Sequence, residues 1–388
     1  MPTDINLLQT PHHSTFAIDA SSANKEKRTG VEQYAFQLIE AMKEQPLQEG
    51  ERVVLFSPTP LTDTLALLPN GWESRVLSWK LSRGWMQGRV SLELLRRTPD
   101  VFFVPSQGLP LLTGSARIVT TIHDIGFHRI GRLYDPSVRK RIASATKRAR
   151  RRADHLLTVS QFTKDELHRA FDVALEKMTV TPLAADTQIF RRLESETIDR
   201  VLLQYRLGRN FFLFVGRLEK KKNVTTLIRA FEQFKQTRGI GDPFELVLVG
   251  DPGYGYEEIK QYITVSPQKE FIRETGYVGD EELAVLMNVA TALTVPSWYE
   301  GFGIPSLEAM VCGTIVMASD IPAHREVIGD AGLFMDADAP EAWAREMKRL
   351  VDDPLVRDQL KEKNISRVAQ FSWSQTARET WSILRSLV

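Results

Sequence analysis

The stretch from Pro296 to Gly313, PSWYEGFGIPSLEAMVCG, constrains this chain more than any other. An apolar run, Ala292-Leu293-Thr294-Val295, leads into it and reads as a buried strand. The chain then crosses a glycine loop, Gly301-Phe302-Gly303, and enters a short helix at Ile304. Pro305 suits the start of that helix, and Gly313 suits the position just past its end. Glu300 lies before the loop and Glu308 one turn into the helix, so a ligand lying across the loop could be gripped at both ends. The glycines allow close backbone approach, and the free N–H groups at the helix start favour an anion such as a diphosphate. The bland alternative is a strand–loop–helix turn with solvated glutamates. Two glycines within three residues, and the aromatic cluster Trp298, Tyr299 and Phe302 beside Glu300, weigh against it.

These residues resemble the E-x7-E signature of retaining GT-B glycosyltransferases, specifically glycosyltransferase family 4. The likeness continues through Thr314-Ile315-Val316, Ser319-Asp320 and Gly329-Asp330-Ala331-Gly332-Leu333. It implies an α/β chain of GT-B fold, with two Rossmann-like parallel-sheet domains facing each other across a cleft. Residues 1–190 would form an acceptor-binding domain, 200–370 a nucleotide-sugar-binding domain, and 371–388 a helix returning to the first.

Composition agrees with two domains of ordinary size in 388 residues. Fifty Lys and Arg against 49 Asp and Glu leave no global field to draw nucleic acid. The single Cys312 excludes a disulfide framework and fits a reducing compartment; at the end of its helix it reads as a small buried residue. No apolar run approaches the roughly 18 residues needed to span a bilayer, and the N-terminus lacks a signal-peptide pattern. The expectation is a soluble, cytoplasmic protein.

In chain order, Phe16-Ala17-Ile18-Asp19 reads as a strand, followed by a polar loop and a helix opening at Thr29-Gly30-Val31. The segment from Arg28 to Tyr34 resembles the family's N-terminal glycine loop, which implies that Gly30 faces the donor diphosphate. Val53–Phe56, Val101–Val104 and Ile118–Ile122 are further strands, and helical stretches between them argue for a parallel sheet covered on both faces. Ligands of such sheets sit outside the carboxyl ends of the strands, where His123 and Asp124 fall. The resemblance has His123 contacting the donor sugar, with Asp124 able to orient it. Trp72, Trp79 and Trp85 sit in loop-like sequence, as an acceptor platform or as pins for a long loop. Residues 129–152 carry ten basic residues and one acid, Asp135, on a helical stripe starting near Pro136. Such a helix can lie on an anionic membrane at its inner face or meet a phosphate-bearing lipid acceptor; a solvated helix face is the competing reading.

After Val180-Thr181-Pro182-Leu183, the polar segment Arg191–Arg200 reads as the linker. Phe211–Val215 is then a buried strand running into Gly216-Arg217 and the lysines Lys220-Lys221-Lys222. A diphosphate site needs such a turn, because arginine offers a planar fork of donors and lysine a mobile point charge. The turn resembles the family's Arg…Lys pair, which neutralises the leaving diphosphate without metal; Arg217 matches it, with Lys222 as the lysine and Lys221 as the fallback. The resemblance also places Gly250 and Val278 near the nucleotide. Glu308 is expected on the ribose and Glu300 on the sugar, with Gly216, Gly301, Phe302, Gly303, Ile304 and Pro305 around the donor.

The expected function is a retaining, metal-independent hexosyl transfer with no cofactor, from a nucleotide-sugar donor to a saccharide or lipid-linked acceptor. The segments Ile18-Asp19, Arg28–Val31 and Gly332-Leu333 look most like bacterial mannosyl- and rhamnosyl-type members that build surface polysaccharides, and the reading leans towards GDP-mannose. The alternatives are another GT-B enzyme, such as a UDP-sugar transferase or nucleotide-sugar epimerase, and a non-catalytic nucleotide-sugar binder.

Overall fold

A computed structural model describes residues 13–388 except 82, 194 and 240. Apolar runs that were legible as strands are buried on both faces, as a sheet sandwiched between helices requires. The first sheet holds β1 (Ser14–Asp19), β2 (Glu51–Ser57), β3 (Trp72–Val76), β4 (Val101–Val104), β5 (Arg117–Ile122), β6 (His155–Thr158) and β7 (Met178–Val180). All are parallel, in the order β3-β2-β1-β4-β5-β6-β7. The second sheet holds β8 (Phe211–Val215), β9 (Glu245–Val249), β10 (Ile272–Gly276), β11 (Ala292–Val295), β12 (Ile315–Ser319) and β13 (Gly332–Met335). It is parallel too, in the order β10-β9-β8-β11-β12-β13.

Both sheets repeat one doubly wound plan, in which the strand order reverses beside the first strand. That reversal leaves a crevice between β1 and β4 in one lobe and between β8 and β11 in the other. The loops after β1, β5, β8 and β11 therefore converge on facing crevices, and these carry Gly30, His123, Arg217 and Glu300.

The lobes are joined by packed core on the hinge side. A single apolar cluster includes Phe16 and Trp381, Phe190, and Phe211 with Leu293. Helix Trp373–Arg385 returns to the first lobe, where Trp381 packs edge-on against Phe16 and Trp72 and donates from Nε1 to the Met42 carbonyl.

Two sequence expectations change. Trp72 is not in a loop but opens the edge strand β3, whose remaining residues Glu73, Ser74, Arg75 and Val76 lie mostly toward solvent. An edge strand with one covered face carries too little apolar pattern to be read, and Trp72 itself is a core pin. Trp79 and Trp85 donate to the carbonyls of Arg83 and Leu77, so they too fasten the segment to itself. The segment Arg191–Arg200 is also not all linker, because helix Ser195–Tyr205 begins within it. Tyr205 and Gln204 donate to Glu282, which binds that helix to the second lobe and moves its start ahead of residue 200.

Candidate active site between the lobes

The second lobe supplies most of the site. β11 ends at Val295, and the loop to helix Ile304–Val311 crosses toward the first lobe. Gly301 is fixed by space, since a Cβ there would overlap the His123 carbonyl oxygen. Ser160 Oγ donates to the Gly301 carbonyl at 2.6 Å from the same side. Gly303 is fixed by conformation: its φ of +105° precedes the helix and is costly for any residue with a Cβ. Sequence reasoning gave both glycines one explanation; the structure gives them two.

The same loop holds Glu300 against the lysine turn. Its Oε1 accepts from Lys222 Nζ at 2.6 Å and from Ser297 Oγ at 2.6 Å. Side-chain exposure is only 13% for Glu300 and 20% for Lys222. Burial alone would raise this carboxyl, but Lys222 and Lys221 outweigh it and hold Glu300 at about 2. It is therefore an anion at neutral pH, able to accept hydrogen bonds and unable to donate a proton.

Eight residues on, Glu308 is in the opposite condition. It is 8% exposed, and burial, followed by the charges of Asp280 and Asp186, pushes it up to about 8. Cys312, one turn further along, is buried and pushed up to about 12, which leaves it inert as a nucleophile.

The cations of the turn after β8 divide by partner. The 3-10 turn Lys220–Lys222 runs into Asn223, whose left-handed backbone and buried amide, bonded to the Pro296 and Ala337 carbonyls, fix the turn against the loop. Lys222 pairs with Glu300. Lys221 lies over the Tyr134 ring of the first lobe at 4.9 Å and 3.5 Å from Glu219. Arg217 is exposed, touches only the Pro252 carbonyl at 3.2 Å, and has no carboxylate within 4 Å among the described residues. Gly216 and Gly250, ending β8 and β9, donate to the carbonyls of Val249 and Gly276 and floor this side of the crevice.

From the first lobe, helix Gly30–Lys43 begins at Gly30, where a Cβ would meet nothing within 4 Å. His123 Nε2 lies 2.9 Å from the Pro105 carbonyl. A carbonyl only accepts, so Nε2 carries the hydrogen, and burial, outweighing Pro105 and Asp124, lowers the ring's basicity. Neutral His123 is left with Nδ1 as an acceptor. Asp124 Oδ1 accepts from the Gly126 N–H at 2.9 Å, so it caps the next turn rather than orienting the imidazole.

Two expected donor contacts are side chains turned inward. Phe302 is buried and packs edge-on against Phe371, and Val278 is buried in the core. What either gives a ligand is backbone. Ile304 and Pro305 open the helix above them.

Sequence reasoning missed residues that the fold delivers from elsewhere. His324, wholly buried on helix Pro322–Ile328, lies behind the loop with Nε2 unpartnered, as is Ser306 Oγ at the helix start. Glu326 on the same helix accepts from the Gln161 and Phe162 N–H groups at 2.6 and 2.8 Å, capping a first-lobe helix from the second lobe. No local pattern signals either. Only the Glu326 cap depends on the lobes meeting; His324 is held within the second lobe against Ser319.

Comparison with known proteins agrees with this arrangement. A model for group 1 glycosyl transferases matches residues 196–367, and one for glycosyltransferase family 4 matches residues 28–189. The chain is 28% identical to O-antigen chain mannosyltransferase B of Escherichia coli, covering 94% of this chain and 97% of that protein. It is 27% identical to O-antigen chain mannosyltransferase RfbU of Salmonella typhimurium over 72% of each. Sucrose-phosphate synthase from Thermosynechococcus elongatus superposes with a TM-score of 0.75 at 19% identity, covering 96% of this chain and 99% of that one. WaaG, a glycosyltransferase involved in lipopolysaccharide biosynthesis, superposes at 0.71 with 15% identity over 95% and 99%. These two speak for fold alone. The architecture is that of a GT-B glycosyltransferase, and the chain belongs to glycosyltransferase family 4. No helix among the described residues is long and apolar enough to cross a membrane.

Proposed function

We propose that this glycosyltransferase moves mannose from GDP-mannose to a saccharide or lipid-linked acceptor in surface polysaccharide synthesis, with retention of configuration and without a metal. The observation that carries the reading is the Lys222–Glu300 pair at the crevice, with Arg217 on the same turn after β8 and, among the described residues, without a carboxylate within 4 Å. Glu300 has lone pairs for sugar hydroxyls, and Lys222 keeps two N–H donors for phosphate oxygens, so the pair bridges the two halves of a nucleotide sugar. Arg217 and the N-terminal end of helix Ile304–Val311 add positive potential where the departing diphosphate gains charge. Mannose is favoured by the two O-antigen chain mannosyltransferases among the relatives.

In the transfer, the bond from the anomeric carbon to the diphosphate oxygen breaks and a bond to the acceptor oxygen forms on the same face. The acceptor proton passes to the departing phosphate. Glu300 is not the proton donor, because its neighbours keep it ionised. His123 Nδ1 accepts from a donor-sugar hydroxyl, and Glu308 holds the ribose hydroxyls.

The test is calorimetric titration with GDP, UDP and dTDP, with and without EDTA, on the wild type and on Arg217→Ala. GDP binding that ignores EDTA and weakens by about tenfold or more in the variant supports the site, as loss of a charged hydrogen bond costs about 1.5–3 kcal/mol. Binding of UDP alone would replace the donor, and binding of none would remove the enzyme reading. Retention is read from the anomeric configuration of the product by NMR; an inverted product, or a trapped sugar–protein adduct, overturns the one-face route.

A further inference from the structure

Two donors reach the Glu300 carboxylate, and both take the same oxygen. Oε1 accepts from Lys222 Nζ and from Ser297 Oγ, each at 2.6 Å. Oε2 accepts from none of the described residues and keeps contact with solvent. The carboxylate therefore turns one oxygen to the protein and one to the crevice.

The two donors are not alike. Lysine is a point charge on a flexible four-carbon stem, so its ammonium can follow the carboxylate through a rotation. A serine hydroxyl sits one carbon from the backbone and is as fixed as the backbone is. Lys222 supplies charge to Glu300; Ser297 supplies direction.

The Ser297 backbone is itself clamped. Strands β11 and β12 pair as far as Val295 and Ala318. Just beyond, Ser319 Oγ donates to the Ser297 carbonyl and extends that pairing past the end of the ladder. His324 Nδ1 donates in turn to the Ser319 carbonyl at 2.9 Å, with Ser319 Oγ 3.2 Å away. Ser297, Ser319 and His324 are each wholly buried. Water does not compete for these bonds, and rearranging them would strand polar groups in the interior. The chain moves no proton. The ring hydrogen is committed to a carbonyl, burial lowers the ring's basicity more than nearby Glu300 raises it, and Nε2 has no partner among the described residues. Only position is transmitted.

We propose that Ser297 is a positioning residue that fixes which oxygen of Glu300 meets the donor sugar, with Ser319 and His324 holding Ser297 in place. This rests on the reading of Glu300 as the partner of the sugar and deepens it. With Oε1 occupied, the sugar meets a single acceptor oxygen of set direction, so a hexose epimeric at the hydroxyl that faces Oε2 loses the bond. A serine that only braces the turn makes the same contacts but does not act through Glu300.

The test is calorimetric titration with two pairs of ligands, GDP with GDP-mannose and UDP with UDP-glucose. It uses the wild type, Ser297→Ala, Glu300→Ala and the double variant, with thermal unfolding confirming that each is folded. The readout is the affinity for the nucleotide sugar divided by that for its nucleoside diphosphate. Ser297→Ala should lower this ratio about tenfold, as loss of a charged hydrogen bond would. Its affinity for the diphosphate alone should stay within about twofold, and so should the ratio when Ser297→Ala is added to Glu300→Ala, because a residue acting through another adds nothing once that other is gone. Weaker diphosphate binding, or an equal effect of Ser297→Ala in both backgrounds, would make Ser297 a brace and overturn the proposal. If neither pair binds the wild type, or Glu300→Ala leaves both ratios unchanged, the donor reading fails and this one with it. If Glu300→Ala lowers the ratio and Ser297→Ala does not, the positioning role fails alone. Ser319→Ala is the second probe, since it releases the Ser297 carbonyl and leaves the Ser297 hydroxyl present. It should lower the ratio in the same direction; an unchanged ratio would overturn the clamp.

Discussion

Replacing Glu308 with Gln should stabilise the protein and weaken its hold on a nucleoside diphosphate, and the stabilisation should grow with pH. Glu308 is 8% exposed, so solvent does little to screen it. Burial first, then Asp280 and Asp186, raise its carboxyl from the ordinary 4.5 to about 8. A folded value above the unfolded one means that stability is fully present below pH 4.5 and is lost as pH rises to about 8. At 1.36 kcal/mol per pH unit, the loss is about 3 kcal/mol at pH 7 and approaches about 5 kcal/mol above pH 8. Glutamine resembles the protonated carboxyl and does not titrate, so the variant escapes this loss. Unfolding midpoints of the two proteins should nearly coincide at pH 4.5 and separate progressively at pH 7 and 9, with the variant higher. GDP affinity should move the other way, by the roughly 1.5–3 kcal/mol of a charged hydrogen bond to ribose. The wild type should also release close to one proton on binding at pH 7, seen as a heat that varies with the ionisation enthalpy of the buffer. Parallel pH profiles for the two proteins would refute the electrostatic argument outright.

Two further substitutions probe the contact between the lobes. Gly301→Ala forces a methyl into the His123 carbonyl; transfer should fall by about 100-fold or more, while circular dichroism shows both lobes folded. A variant with near-wild-type kcat would show that the lobes need not meet there. Glu326→Ala removes the cap on Gln161 and Phe162, so hydrogen exchange at those two amides should rise at a global stability cost of about 1–2 kcal/mol; unchanged protection would mean that the lobes part without it.

What could be read from the sequence is what local pattern controls. Buried strands such as Phe211–Val215 and Val101–Val104 were plain because both faces are apolar, and the loop Glu300–Gly303 was plain because glycine spacing and a following proline are local signals. The edge strand β3 was not, since only one of its faces is covered, and neither was the helix Ser195–Tyr205, whose polar opening looks like a tether. Within the site, His324, Glu326 and the Asp186–Asp280 pair around Glu308 lie far from the motif in sequence or on other elements. Charge state was the least visible of all. Nothing in the letters distinguishes one glutamate of the motif from the other.

That difference is where the fold contributes chemistry rather than scaffold. Glu300 and Glu308 lie on one loop and its helix, both shielded from water, so desolvation pushes each upward. What separates them is the neighbour each meets. The turn after β8 brings Lys222 and Lys221 to Glu300 and keeps it ionised in the free protein. The start of helix Asp280–Val289 and the segment after β7 bring two further carboxylates toward Glu308 and keep it protonated near neutral pH. On the proposed donor reading, Glu300 is ready for sugar hydroxyls before a ligand arrives, whereas Glu308 becomes a full acceptor only by giving up its proton. A ribose diol must offset that cost by bonding both oxygens, and a ligand without a diol gains no such return. The strand order of the second lobe, which sets β8 beside β11, therefore decides which end of the donor meets a standing charge and which end must induce one.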